Sequence, residues 1–251
     1  MSETKYFPTV EAIDKASQVL DEILEPTPFQ RNANLSDIYE ADVYLKREDL
    51  QMVRSYKIRG AYNKIRTIDP GLVTNGIVCA SAGNHAQGVA FSCSKLKIMG
   101  SIFMPVTTPR QKIEQVRMFG KEFIEIILTG DTFDAANSAA IAYAKENNKT
   151  FIPPFDDPKV MEGQGTIGRE ILNQSKEPLD YIFVPIGGGG LASGLGAYIS
   201  QMSPDTKIIG VEPGGAPCMK AAIENGGPVK LEHIDKFVDG AAVQLAGTHT
   251  Y

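Results

Sequence analysis

Several features that would classify the chain at a glance are scarce or missing. Only three of its 251 residues are cysteine, Cys79, Cys93 and Cys218. An odd number with no paired short spacing fits neither a disulfide framework nor a zinc site, and reads as the reduced thiols of a cytoplasmic protein. There is no run of basic residues and the net charge is −5, which argues against nucleic acid as a partner. The opening residues Met1 to Tyr6 lack the basic start and apolar stretch of a signal peptide, so secretion is not expected. Residues 181–204 carry no charge and are long enough to span a bilayer. Four consecutive glycines at 187–190 interrupt any single helix there, so no membrane partner is expected. Repeats and low-complexity tracts are absent. What remains is an ordinary globular composition, 43% hydrophobic and 22% charged. At about 150 residues per domain, it predicts one large domain or two modest ones.

Hydrophobic periodicity predicts an amphipathic helix over 9–24, stopped by Pro26 and Pro28. A short strand over 43–45 follows, ending in a charged turn, Lys46-Arg47-Glu48-Asp49. A helix is expected from the segment around Lys57 through Ile65. Beyond it strands and helices alternate: strand 77–80, helix 84–95, strand 101–104, helix 110–119, strand 123–128, helix 132–147 and strand 150–152. Pro153-Pro154 closes this series as a linker signal. A helix over 165–175, strand 181–186, helix 191–201, strand 207–211 and helix 216–224 complete the chain. Such alternation indicates βαβ units and parallel sheet, an α/β fold.

Three stretches could carry chemistry. Gly187-Gly188-Gly189-Gly190-Leu191 joins a strand to a helix, where backbone N–H groups and the helix N-terminus together favour an anion such as phosphate. Its owner is open. Gly187, Gly189 and Ala192, with Glu212 twenty residues on, satisfy the dinucleotide pattern; this would suit a nucleotide-binding oxidoreductase, but few residues follow for the rest of such a fold. The other owner is pyridoxal phosphate, which needs a phosphate cradle, a Schiff-base lysine and a polar group for its ring oxygen. Lys57 is the candidate lysine, since a desolvated lysine amine is a nucleophile. Ser81-Ala82-Gly83-Asn84-His85 supplies the polar group. Asn84 also reads as an ordinary helix N-cap, and His85 as a structural hydrogen-bonder.

Ser55-Tyr56-Lys57-Ile58-Arg59-Gly60-Ala61, Ser81 to Gly88, the glycine run, residues 45–51, 163–166, 211–213 and 237–241 together resemble threonine dehydratase (threonine ammonia-lyase), a fold type II pyridoxal phosphate enzyme family. The likeness runs from about Val10 to Val243. It implies a two-domain, tryptophan synthase β-like α/β fold with parallel-rich sheets flanked by helices. Residues 1–52 and 153–251 would form the large cofactor domain, and 53–152 a small mobile one. It further implies that Lys57 holds the cofactor aldehyde, that Tyr56 packs beside it, and that Asn84 bonds the ring hydroxyl. Gly187, Gly188, Gly189, Gly190 and Leu191 would hold the phosphate, while Ser81, Gly83, Asn84 and His85 line the substrate-carboxylate loop. The reaction implied is α,β-elimination of threonine to 2-oxobutanoate and ammonia, a step of isoleucine biosynthesis, with serine giving pyruvate. Serine dehydratase and serine racemase share these motifs, and the family is usually dimeric or tetrameric.

The sequence departs from that pattern in three places. Tyr56 stands where the family usually has phenylalanine. Related racemases hold a divalent cation with the glutamate of Val211-Glu212-Pro213 and a nearby acidic residue; here Cys218 takes that second place, so no metal is expected and Glu212 reads as structural. After Val243 the family continues well past Tyr251, so the resemblance implies a truncated catalytic domain lacking the partner of the pyridine nitrogen. The expectations are an exposed sheet edge and an impaired site.

Overall fold

The computed structural model describes residues 5–251. Helix α1 (Val10–Leu20) starts where the Thr9 hydroxyl accepts the Ala12 N–H, and it buries Ile13, Ala16, Ser17 and Leu20 on one face. Strands β1 (Phe29–Arg31) and β2 (Tyr44–Lys46) pair antiparallel around helix α2 (Ala33–Tyr39). Sequence reading did not place β1 or α2. β1 is only three residues long, and the two prolines before it masked its pattern, although Asn32 caps α2 by accepting the Leu35 N–H. A 3₁₀ turn at Glu48–Leu50 leads to α3 (Lys57–Thr67), which has Lys57 as its first residue.

The next elements form a four-stranded sheet of order β5-β4-β3-β6, all pairs parallel: β3 (Ile77–Ala80), β4 (Gly100–Met104), β5 (Ile124–Leu128) and β6 (Thr150–Phe151). Helices α4 (Asn84–Leu96), α5 (Arg110–Gly120) and α6 (Phe133–Glu146) connect them. Every residue of β3 and β4 is buried, as expected of strands covered on both faces. Ile77, Cys79, Ile102 and Met104 meet α4 on one side, and Val78, Ala80 and Phe103 meet Ala140 and Ala144 of α6 on the other.

Helix α7 (Pro158–Gln174) begins seven residues before the sequence-based expectation, with Pro158 in its first turn and the Asp157 carboxylate accepting the Lys159 and Val160 N–H groups. Its glycines, which weigh against a helix in isolation, mark close approaches instead. A Cβ on Gly163 would lie 2.6 Å from the Arg59 carbonyl oxygen of α3. Helix α8 (Gly190–Met202) crosses α7 so closely that a Cβ on Gly194 would lie 2.1 Å from the Met161 carbonyl. Strands β7 (Tyr181–Pro185) and β8 (Lys207–Val211) form a separate parallel pair, followed by α9 (Cys218–Asn225). Val184, Ile182 and Ile208 pack toward α7 and α8, while Tyr181, Phe183, Ile209 and Val211 on this pair stay exposed. Among the described residues no helix is long and apolar enough to cross a membrane.

Candidate active site

Lys57 sits at the first turn of α3, and its Nζ donates to the Pro154 carbonyl at 2.8 Å. The side chain opens onto a cleft, yet protein surrounds the amine closely enough that desolvation pulls its pKa down to about 8. No carboxylate pairs with it among the described residues. Tyr56 packs against the cluster containing Ile167 and Leu191, with its ring centre 5.6 Å from the Lys57 amine. Burial pushes the Tyr56 phenol up to about 12. Two residues before the lysine, the buried Ser55 hydroxyl has no partner among the described residues.

The opposite wall is the glycine turn between β7 and α8. All three of its leading carbonyls are taken from behind: Gly187 by the Cys218 thiol at 3.3 Å, Gly188 by the Thr250 hydroxyl at 2.6 Å, and Gly189 by the Ser193 N–H at 2.9 Å. No acceptor among the described residues faces the N–H groups of Gly187, Gly188 or Gly189. These donors precede the N-terminus of a 13-residue helix, a combination that favours an anion. Gly189 has φ of +96°, which glycine adopts without strain. Tyr56, Lys57, Phe155, Gly187, Gly188, Gly189, Gly190 and Leu191 line this one cleft. An amine nucleophile and an anion cradle therefore share one cleft, and that donor set fits pyridoxal phosphate.

The Asn84 loop is placed differently. The helix N-cap is Gly83, and Asn84 is the first residue inside α4, exposed, with no hydrogen bond to its side chain among the described residues. The expected capping role of Asn84 is thus incorrect, and its amide is left uncommitted. Ser81 accepts the Gly83 N–H at 3.2 Å. His85 is buried with Nε2 bonded to the Ile152 carbonyl at 3.1 Å and Nδ1 unpartnered. Burial, then the nearby charge of Lys57, drops its pKa to about 3, so the ring is neutral and Nε2–H is the donor. Ser81, Gly83, Asn84 and His85 do not line the cleft wall itself; His85 reaches it through the connector that also carries Pro154.

Sequence reading missed two sets of residues. Phe155 packs against the cradle, where a Cβ on Gly188 would fall 2.4 Å from its ring, and Asp156 accepts the N–H groups of Thr248 and His249 at 2.9 Å. Nothing in local composition signals either contact. The second set belongs to the charged turn at Lys46 and to the start of α3. Lys46 bonds Gln174, Glu170 and the Thr27 carbonyl, while Arg59 holds Glu48 through two nitrogens at 2.8 Å and Glu170 at 2.6 Å. The Lys46 and Arg59 side chains are only 7% and 1% exposed. Glu212 accepts the Met219 and Lys220 N–H groups at 2.8 Å, capping α9. That occupies the carboxylate the dinucleotide pattern needed.

A family model described as "Pyridoxal-phosphate dependent enzyme" matches residues 20–250. The chain is 56% identical over 238 residues to the biosynthetic L-threonine dehydratase IlvA of Halalkalibacterium halodurans, covering 95% of this chain and 57% of that protein. It is 55% identical over 242 residues to the namesake from Bacillus subtilis, covering 96% and 57%. The chain therefore spans somewhat over half the length of these curated relatives. Among solved structures, the processed form of threonine deaminase isoform 2 from Solanum lycopersicum superposes with a TM-score of 0.90 at 40% identity, covering 100% of this chain and 73% of that one. Maize serine racemase gives 0.91 at 28% identity, covering 98% and 73%. These likenesses establish the fold type II architecture and remove the nucleotide-binding oxidoreductase reading.

Proposed function

Because the chain belongs to the pyridoxal-phosphate dependent enzyme family, we propose that it carries most of the cofactor site of a threonine ammonia-lyase, converting L-threonine to 2-oxobutanoate and ammonia and L-serine to pyruvate. The observation that carries this reading is the single cleft shared by Lys57 and the glycine turn. When bound, pyridoxal phosphate supplies an aldehyde for a lysine and a conjugated ring that accepts charge from the substrate Cα. The N–H groups of Gly187, Gly188, Gly189, Gly190 and Leu191 would hold its phosphate, Tyr56 would flank it, and Asn84 would meet the ring hydroxyl.

The rest of the work falls to this chain's own groups. Burial gives Lys57 a sizeable neutral fraction near pH 8, so its Nζ can act as nucleophile and can take the Cα proton of the substrate. The N–H groups of Asn84 and His85 in the first turn of α4, with the Ser81 hydroxyl on the same loop as Gly83, suit the substrate carboxylate. His85 stays neutral and keeps that loop on the Ile152 carbonyl. Loss of the Cα proton and the β-hydroxyl, followed by hydrolysis, gives the oxo acid and ammonia. We propose that residues 53–152 move as the smaller unit, closing over the substrate and excluding water, and that the whole protein is a homo-oligomer.

Serine racemase is the second reading, favoured by the structural likeness to the maize enzyme. The test is to supply L-threonine, L-serine and D-serine to this chain and to a version extended to the relatives' full length. Oxo-acid formation from threonine in the extended protein, lost in Lys57→Ala, supports the proposal. Inversion of serine without threonine turnover would replace it with the second reading.

A further inference from the structure

The stretch Ile152-Pro153-Pro154-Phe155 joins β6 to α7 and touches each part of the candidate site. Its first residue is fixed three ways. Ile152 donates to the Val78 carbonyl at 2.8 Å, its own carbonyl accepts from His85 at 3.1 Å, and its side chain is fully buried. Its last residue is fixed as well, because Phe155 packs against the cradle, so close that a Cβ on Gly190 would meet it at 2.9 Å. Only two prolines lie between these anchors. Each proline ring holds φ near about −65°, and a residue that precedes proline is confined to extended backbone. The Pro154 carbonyl, 2.8 Å from the Lys57 amine, therefore hangs on a strut with few soft torsions, clamped to the Asn84 loop at one end and to the glycine turn at the other.

We propose that Pro153 and Pro154 are positioning residues for Lys57: their rigid strut presents the Pro154 carbonyl as the resting place of the free amine and so fixes its distance from the anion cradle. The inference rests on the reading of Lys57 as the cofactor lysine. A flexible connector of the same length would leave the amine wandering between the carbonyl and solvent, and fewer encounters with an aldehyde held at the cradle would be productive.

The test uses cofactor-free chain mixed rapidly with pyridoxal phosphate, following the absorbance change as the lysine reacts. Binding of pyridoxine phosphate, an alcohol that cannot react, is measured in parallel. In a Pro153→Gly, Pro154→Gly double variant the reaction slows about five- to tenfold, the size expected for freeing two proline-fixed residues, while pyridoxine phosphate affinity is unchanged. Pro154→Ala, which keeps the carbonyl and frees one residue, slows it about two- to threefold and serves if the double variant does not fold. An unchanged rate overturns the strut, as does a fall in rate matched by an equal fall in pyridoxine phosphate affinity. An adduct that forms normally in Lys57→Ala overturns the reading of Lys57 instead.

Discussion

Lys46 and Lys57 stand eleven positions apart, both pressed into the protein, and desolvation lowers the pKa of each. Their surroundings separate them. Lys46 donates to Glu170, Gln174 and the Thr27 carbonyl, and through Glu170 it joins Arg59 and Glu48 in one buried network. There desolvation acts against each cation, but Glu48 and Glu170 outweigh it at Arg59 and hold that guanidinium charged. Lys57 has a single neutral acceptor, the Pro154 carbonyl. Among the described residues no carboxylate offsets its desolvation, so its amine is readily made neutral. Charge that is buried and paired ties α3, β2 and α7 together; charge that is buried and unpaired is a reagent. Arg59 belongs to the first kind and Lys57 to the second, though both lie on the same turn of α3.

The largest effect should come from breaking the paired side. Arg59→Met strands Glu48 and leaves Glu170 with Lys46 alone, and a cost of about 3–5 kcal/mol is expected in a denaturant titration. Replacing Arg59 together with Glu48 by apolar residues should recover most of that loss, because Glu170 then stays paired with Lys46 and no charge is stranded. The unpaired side should behave in the opposite sense. Lys57→Met is expected to stabilise the cofactor-free chain, the usual trade between stability and activity at a reactive group.

The pH dependence sharpens the contrast. The folded-state pKa of Lys57, about 8, lies below its ordinary value of 10.5, so between those values the unfolded chain holds more protons. Its cost is therefore present in full below pH 8 and fades as pH rises toward 10.5. Unfolding midpoints measured from pH 7 to pH 10 should rise in the wild type relative to Lys57→Met. The smallest effect belongs to Glu212, where Glu212→Ala removes the cap of α9 at a cost of about 1 kcal/mol and leaves cofactor binding intact.

Much of the fold could be read from residue pattern, because β3 and β4 are buried runs flanked by helices with regular spacing. The limits of β3 and β8 fall where the pattern placed them, at Ile77–Ala80 and Lys207–Val211. The failures share a cause. Helix α7 hides behind Gly163, Gly165 and Gly168, whose value lies in contact with other helices, and those contacts are invisible to local propensity. The charged turn at Lys46 gave no sign of its buried network, since its partners Glu170 and Gln174 are more than a hundred residues away. In the site, Lys57 and the glycine turn were legible through their chemistry and their motifs. The backing supplied by Cys218, Ser193 and Thr250 was not, since it depends on which carbonyl each of them reaches.

The central claim is that Lys57 is the buried, unpaired amine that takes pyridoxal phosphate opposite the glycine cradle. The most direct measurement adds the cofactor to the purified chain, reduces with borohydride, and maps the modified peptide. A pyridoxyl group on Lys57, with Lys46 untouched, is the expected result. A pyridoxyl group on any other lysine, or none at saturating cofactor, would contradict it.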